Sequence, residues 1–208
     1  VTLLEITGVY ATLANRGVRA VPTTLAGGDP PAGTQLTVPV AAPVQVVSAE
    51  SAFLVTHLLR GVMREGTGKA SLRWGLSEVT AGKSGTTDGL RDAWFVGYTP
   101  DLVVGVWVGR DDGSPLGLSG AEAALPIWGA TMAAAVRQGR PSAFTPPTGV
   151  VLVSVDRDTG KSASFWCDQG TTVEEAFRAG TEPPAGCGGG ALVSAGRGLL
   201  NWFAELFR

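Results

Sequence analysis

The stretch that decides the fold is EVTAGKSGTTDGLRDAWFVGYTPDLVVGVWVG, Glu78 to Gly109. It reads as three extended segments. The first, Glu78 to Thr87, presents Lys83, Ser84, Gly85 and Thr86 in a row. Side chains alternate along a strand, so Lys83 and Gly85 share one face while Ser84 and Thr86 share the other. Gly85 removes a side chain where another backbone or a ligand comes close. Ala93 to Tyr98 and Leu102 to Gly109 are aromatic and β-branched, and Thr-Pro-Asp between them is a turn signal, so they read as a hairpin.

On the N-terminal side, Thr2 and Glu5 form a capping box ahead of Leu3, Ile6, Val9, Tyr10 and Leu13 at helical spacing. Residues 18 to 47 are rich in Pro, Gly, Thr and Val and read as irregular, with one or two short extended pieces. Ser48 is an N-cap for a second helix to about Met63, with Phe53, Leu54, Leu58 and Val62 along its stripe. His57 lies beside that stripe with no carboxylate or cysteine spaced to partner it, and reads as a packed or surface residue. Gly66-Thr67-Gly68 reads as a structural turn.

On the C-terminal side, Arg110 to Gly120 is a polar loop whose adjacent Asp111 and Asp112 read as a solvated turn rather than an acid/base pair. Ala121 to Gln138 is an Ala-rich helix, starting either at Ala121 or near Leu125, where Pro126 fits a first turn. Helices around antiparallel strands give an α+β class. The expected organisation is a main unit at 1–140, a Pro-rich linker at 141–149, a small β-hairpin and loop extension at 150–190, and an amphipathic tail at 191–208. In the extension, Val150 to Asp156 and Lys161 to Trp166 read as the hairpin. The tail gathers Leu199, Leu200, Phe203, Leu206 and Phe207 on one face, which leaves a membrane surface, docking on its own domain, or fraying as its expected states.

The chain has 208 residues, of which 44% are hydrophobic, enough for a real core. A net charge of −2 with one histidine gives no basic footprint, which argues against nucleic acid as a partner. No apolar run has the length of a membrane span.

Lys-Ser-Gly alone is common, but its surroundings are specific. AGKSGTT, RDAWFVGYTP and LVVGVWVG together resemble the strands carrying the third motif, Lys-Thr/Ser-Gly, of penicillin-binding transpeptidases, in particular the class A, high-molecular-mass bifunctional proteins. TLLEITGVYATLANRGV, SAESAFLVTHLLRGVMREGTG and ALPIWGATM resemble the same family, over roughly residues 1 to 140. AFRAGTEPPAGC resembles the short segment that often follows that domain.

The resemblance implies a partial penicillin-binding/β-lactamase-like transpeptidase fold and serine acyl transfer between peptidoglycan stem peptides, with β-lactams as ligands. It implies a catalytic Lys83 whose cation attracts the substrate carboxylate, and a Thr86 N–H as the second oxyanion donor. Ser84, Gly85, Thr86 and Thr87 become substrate-binding, with room along the strand edge for a peptide. No metal or cofactor is implied. It further implies an extracytoplasmic location, anchored through a segment outside this chain, and an oxidising compartment. There Cys167 and Cys187 would close a loop worth on the order of 3 kcal/mol, two unrelated reduced cysteines being the alternative. The family's Ser-x-x-Lys and Ser-x-Asn motifs are absent. Lys69, Lys83 and Lys161 follow Gly66, Thr80 and Asp158 at that spacing, and Asn15 and Asn201 follow Leu13 and Leu199. The expectation is a C-terminal portion of a transpeptidase that partners an N-terminal part bearing the nucleophile and is inactive alone.

Three other readings have less support. A phosphate loop needs a glycine where Ser77 stands and a helix where Thr86-Thr87-Asp88-Gly89 reads as a turn. A D,D-carboxypeptidase or β-lactamase relative shares the third motif. A non-catalytic wall- or partner-binding module keeps the fold without the nucleophile.

Overall fold

A computed structural model describes residues 1–19, 21–23, 42–139, 141–163 and 172–186. Helix α1 spans Leu3–Ala14. Its start is fixed by the expected reciprocal cap, Glu5 N–H donating to Thr2 Oγ1 at 3.2 Å and Thr2 N–H to the Glu5 carboxylate at 2.7 Å. Strands β1 (Val18–Arg19) and β2 (Val44–Gln45) pair briefly, and helix α2 (Ala49–Arg64) begins where Ser48 Oγ accepts from Ser51 N–H at 3.2 Å. Strands β3 (Ala81–Thr86), β4 (Ala93–Tyr98) and β5 (Val103–Val108) form an antiparallel sheet in that order. Helix α3 (Gly120–Val136) follows, and β6 (Val150–Asp156) pairs with β7 (Thr172–Arg178) in a separate sheet. The class is α+β, as expected. Cys167, Cys187 and the 191–208 tail lie outside the described residues.

Alternation along β4 sends its side chains to two layers. On one face Phe95 meets Trp128 of α3 at 4.8 Å between ring centroids, and Met63, Leu76, Leu125 and Met132 complete a buried cluster. Gly97 on that face leaves no room for a side chain, since a Cβ would come within 2.6 Å of the Trp128 ring. On the other face Tyr98 meets Tyr10 of α1 edge-on at 6.1 Å, above Leu59 and Ala81. Its buried hydroxyl is satisfied by Thr56 Oγ1 at 2.9 Å. Burial pushes the Tyr98 phenol up, so it stays protonated.

Five expectations change in detail. β3 starts at Ala81 rather than Glu78, because Val79 and Thr80 N–H groups both bond back to Leu76 O. In α1, Val9 faces solvent, because Thr7 is the residue seated over Gly105 of β5. In α2 the buried stripe is Ala52, Phe53, Thr56, Leu59, Val62 and Met63, with Leu54 and Leu58 only half-buried. Of the two starts open for helix α3, the earlier holds and the one near Leu125 does not: it begins at Gly120, because Glu122 closes a cap on Ser119 N–H at 2.8 Å and Oγ–H at 2.7 Å, leaving Pro126 inside the helix. The long partner of β6 is β7, which the Glu-Glu-Ala run disguises; of the expected Lys161–Trp166 strand, Ser162 bridges Val155 and Ala163 N–H bonds to Ser154 O at 2.7 Å, and residues 164–166 lie outside the described residues.

His57 is buried, and it does have a carboxylate. Its Nε2 sits 3.1 Å from Glu174 O and 3.3 Å from Glu175 Oε2, both supplied by β7. Together with the bidentate Arg157–Glu65 pair at 2.9 and 2.5 Å, this holds the β6–β7 unit against α2. The segment 141–149 is tied down too. Ser142 donates through N–H and Oγ–H to Asp101 at 2.6 and 2.8 Å, and Phe144 packs edge-on against Tyr98. Both partners of the Arg157–Glu65 pair are well exposed. Arg157→Ala is therefore expected to lower stability by no more than about 1 kcal/mol, read as a small shift of the urea midpoint at unchanged slope.

Candidate functional site

Strand β3 is the outer strand of its sheet, and the parity of its ladder decides what it offers. Antiparallel pairs alternate between bonded and non-bonded. Thr87 N–H bonds to Asp92 O at 3.1 Å, which makes Lys83, Gly85 and Thr87 the residues bonded inward to β4. The N–H and C=O groups of Gly82, Ser84 and Thr86 then point to the outer edge, where no strand among the described residues takes them. A peptide laid along this edge would meet unused donors at Ser84 and Thr86.

Lys83 lines a cavity of about 380 Å³, whose other walls include Ile6 and Tyr10 of α1 and Trp94 and Val96 of β4. The ammonium donates to Ser84 O at 2.9 Å and lies 3.5 Å from Ser84 Oγ. No ion pair among the described residues involves it. Burial among these mostly apolar walls pushes the Lys83 ammonium down from the ordinary lysine value. A half-buried cation without a counter-ion is a site for an incoming anion.

The three hydroxyls of the strand have different inventories. A hydroxyl has one proton to give and two lone pairs. Thr86 Oγ1 accepts from Gly120 N–H at 3.0 Å, and no acceptor among the described residues takes its proton. Ser84 Oγ lies 2.8 Å from Thr67 Oγ1. Thr87 Oγ1 accepts from Asp92 N–H at 2.9 Å and donates to Asp92 Oδ2 at 3.0 Å, and its own N–H is already used on Asp92 O. Thr87 borders the cavity while its polar groups lock the turn after β3. Asp92 also takes the Trp107 indole N–H at 2.9 Å. Lys83, Ser84, Gly85 and Thr87 thus all border one cavity, while the Thr86 hydroxyl is turned toward α3 by the bond from Gly120 N–H.

Three supporting residues were given no part in the site by the sequence: Thr67, Asp92 and Gly120. Each acts from another element, and the glycines flanking Thr67 were its one local signal. Asp112, by contrast, spends its Oδ1 on Ser114 N–H at 3.0 Å and Oγ–H at 2.7 Å, forming a turn on the loop.

A cationic edge strand with outward N–H groups and hydroxyl protons is an arrangement that could take a carboxylate or an oxyanion. Comparison with known proteins makes this specific. The pattern described as the penicillin binding protein transpeptidase domain matches residues 1–127, and that of the penicillin-binding protein 1A C-terminal domain matches residues 146–188. The chain belongs to the penicillin-binding protein transpeptidase domain family. It is 37% identical over 122 residues to penicillin-binding protein 1A of Pseudomonas aeruginosa, covering 58% of this chain and 15% of that protein. It is 35% identical over 190 residues to penicillin-binding protein 1A of Aquifex aeolicus, covering 90% of this chain and 25% of that one. The chain therefore spans a quarter or less of these relatives. Among solved structures, penicillin-binding protein 1A of Haemophilus influenzae shares the fold with a TM-score of 0.70 at 24% identity, over 88% of this chain and 32% of that one. Penicillin-binding protein 3 of Mycobacterium tuberculosis, complexed with aztreonam, matches with a TM-score of 0.50 at 30% identity, over 70% of this chain and 37% of that one. No helix among the described residues is long and apolar enough to cross a membrane.

Proposed function

We propose that this chain is the carboxylate- and oxyanion-binding part of a peptidoglycan D,D-transpeptidase, a serine acyl transferase that cross-links D-Ala-D-Ala stem peptides and is acylated by β-lactams. The observation that carries the reading is the Lys83 ammonium, without an ion-pair partner among the described residues, on an outer strand whose donors face outward. Lys83 draws in the stem peptide's terminal carboxylate, with Ser84 and Thr86 hydroxyls as donors. The Thr86 N–H supports the oxyanion that forms when serine attacks the penultimate alanine carbonyl. D-alanine leaves, and the acyl group passes from serine to the amine of a neighbouring stem peptide.

The chain contains no Ser-x-x-Lys or Ser-x-Asn. We assign the nucleophile and its base to another part of the parent protein, seated in the cavity beside Lys83 on the extracytoplasmic side of the membrane. Aztreonam, which the mycobacterial relative binds, belongs to the ligand class expected here.

A fluorescent penicillin tests this directly. The isolated chain is expected to remain unlabelled after denaturing electrophoresis, and the full-length parent to carry a stable label. Labelling of the isolated chain would place an acylating serine within these residues and overturn the assignment. An unlabelled parent would favour a non-catalytic wall-binding module.

A further inference from the structure

Thr67 does more than turn the chain. Its Oγ1 lies 2.8 Å from Ser84 Oγ, although 17 residues separate them. The turn that carries it is built against helix α2. Gly66 and Gly68 N–H groups both donate to Val62 O at 3.1 Å. A Cβ on Gly66 would come within 3.0 Å of Val62 Cα, and one on Gly68 within 3.2 Å of Met63 Cα. The backbone on both sides of Thr67 is thus pressed onto the last turn of α2, with no space for side chains. That last turn is itself seated on the strand, since a Cβ on Gly82 would meet Met63 Sδ at 3.1 Å. The contact between Thr67 and Ser84 follows from backbone packing.

The direction of this hydrogen bond decides what Ser84 can do. Ser84 Oγ has one proton, and the Lys83 ammonium beside it can only donate. A carboxylate can only accept. For Ser84 to bind a carboxylate its proton must point to the ligand, and the Thr67 hydroxyl must then be the donor to Ser84 Oγ.

Building on the functional reading above, we propose that Thr67 is a positioning residue of the carboxylate subsite: its hydroxyl donates to Ser84 Oγ and commits the Ser84 proton to the anion held by Lys83. The expected consequence is a relay, Thr67 to Ser84 to carboxylate, in which Thr67 never touches the substrate. Thr67 is exposed, so Thr67→Val should fold normally.

The test is a double-mutant cycle on the full-length parent, with the second-order rate of acylation by fluorescent penicillin as readout. Thr67→Val should slow acylation about tenfold, and Thr67→Ser, which restores the donor, should return most of the rate. In a Ser84→Ala background, Thr67→Val should have no further effect, because the relay has already lost its middle member. A purely structural role would give the same tenfold loss in both backgrounds and would overturn the proposal. So would a Thr67→Val protein as fast as the parent, which would mean that Ser84 donates to Thr67. A wild-type parent that takes no label would instead overturn the functional reading on which the relay rests.

Discussion

Lys83→Ala in the full-length parent is expected to slow acylation by penicillin about a hundred- to a thousandfold, the scale of losing one preorganised electrostatic contact in the site. Thermal unfolding should hardly move. The ammonium has no ion-pair partner among the described residues, and its hydrogen bonds go to Ser84 alone, so its removal strands no buried charge. Normal acylation with a large loss of stability would assign Lys83 a structural role instead. Its lowered pKa adds an opposed pair of pH effects. The unfolded chain holds this proton to higher pH than the folded one, so stability should rise with pH between the folded value and the ordinary lysine value. Binding of a carboxylate, which needs the cation, should fall across the same window. Both trends should vanish in Lys83→Ala, as seen from denaturant unfolding and acylation rates measured across the alkaline range.

What was legible in the sequence is what local chemistry decides. The Thr2–Glu5 cap, the Ser48 cap and the hairpin around Thr99-Pro100-Asp101 depend on neighbours within a few residues, and each appears where the residues place it. Strand alternation likewise separated Lys83 and Gly85 from Ser84 and Thr86. The parts that were not legible depend on distant partners. Pro126 suggested a helix start, yet the Ser119–Glu122 cap upstream starts α3 earlier. The Glu174-Glu175-Ala176 run carries good helix formers, but pairing with β6 and contact with His57 make it a strand. The candidate site divides in the same way. Its cation and hydroxyls lie in five consecutive residues, 83 to 87, whereas Thr67, Asp92 and Gly120, which set hydrogen-bond directions, come from other elements or the far side of a turn.

Gly120 supports the second large effect. As the first residue of α3 it sits directly on the back of the site strand, where a Cβ would lie 2.5 Å from Gly85 O and 2.4 Å from Trp94 O. Those are backbone atoms of paired residues in β3 and β4, so no rotamer change can relieve the clash. A side chain here must push the start of α3 off the sheet. That movement would break the bond from Gly120 N–H to Thr86 Oγ1 and free the end of β3 from the support that aims the Thr86 N–H outward. Gly120→Val is expected to cost about 3 kcal/mol of stability, the upper end of ordinary overpacking. Acylation should slow by more than the unfolded fraction explains, since the Thr86 N–H, the proposed oxyanion donor, shifts even in molecules that stay folded. Gly8→Val in α1, where a Cβ meets nothing within 4 Å, is the matched control for adding bulk at a helical glycine. If Gly120→Val unfolds at the same denaturant concentration as the parent, the close approach of α3 to β3 is not what fixes the strand.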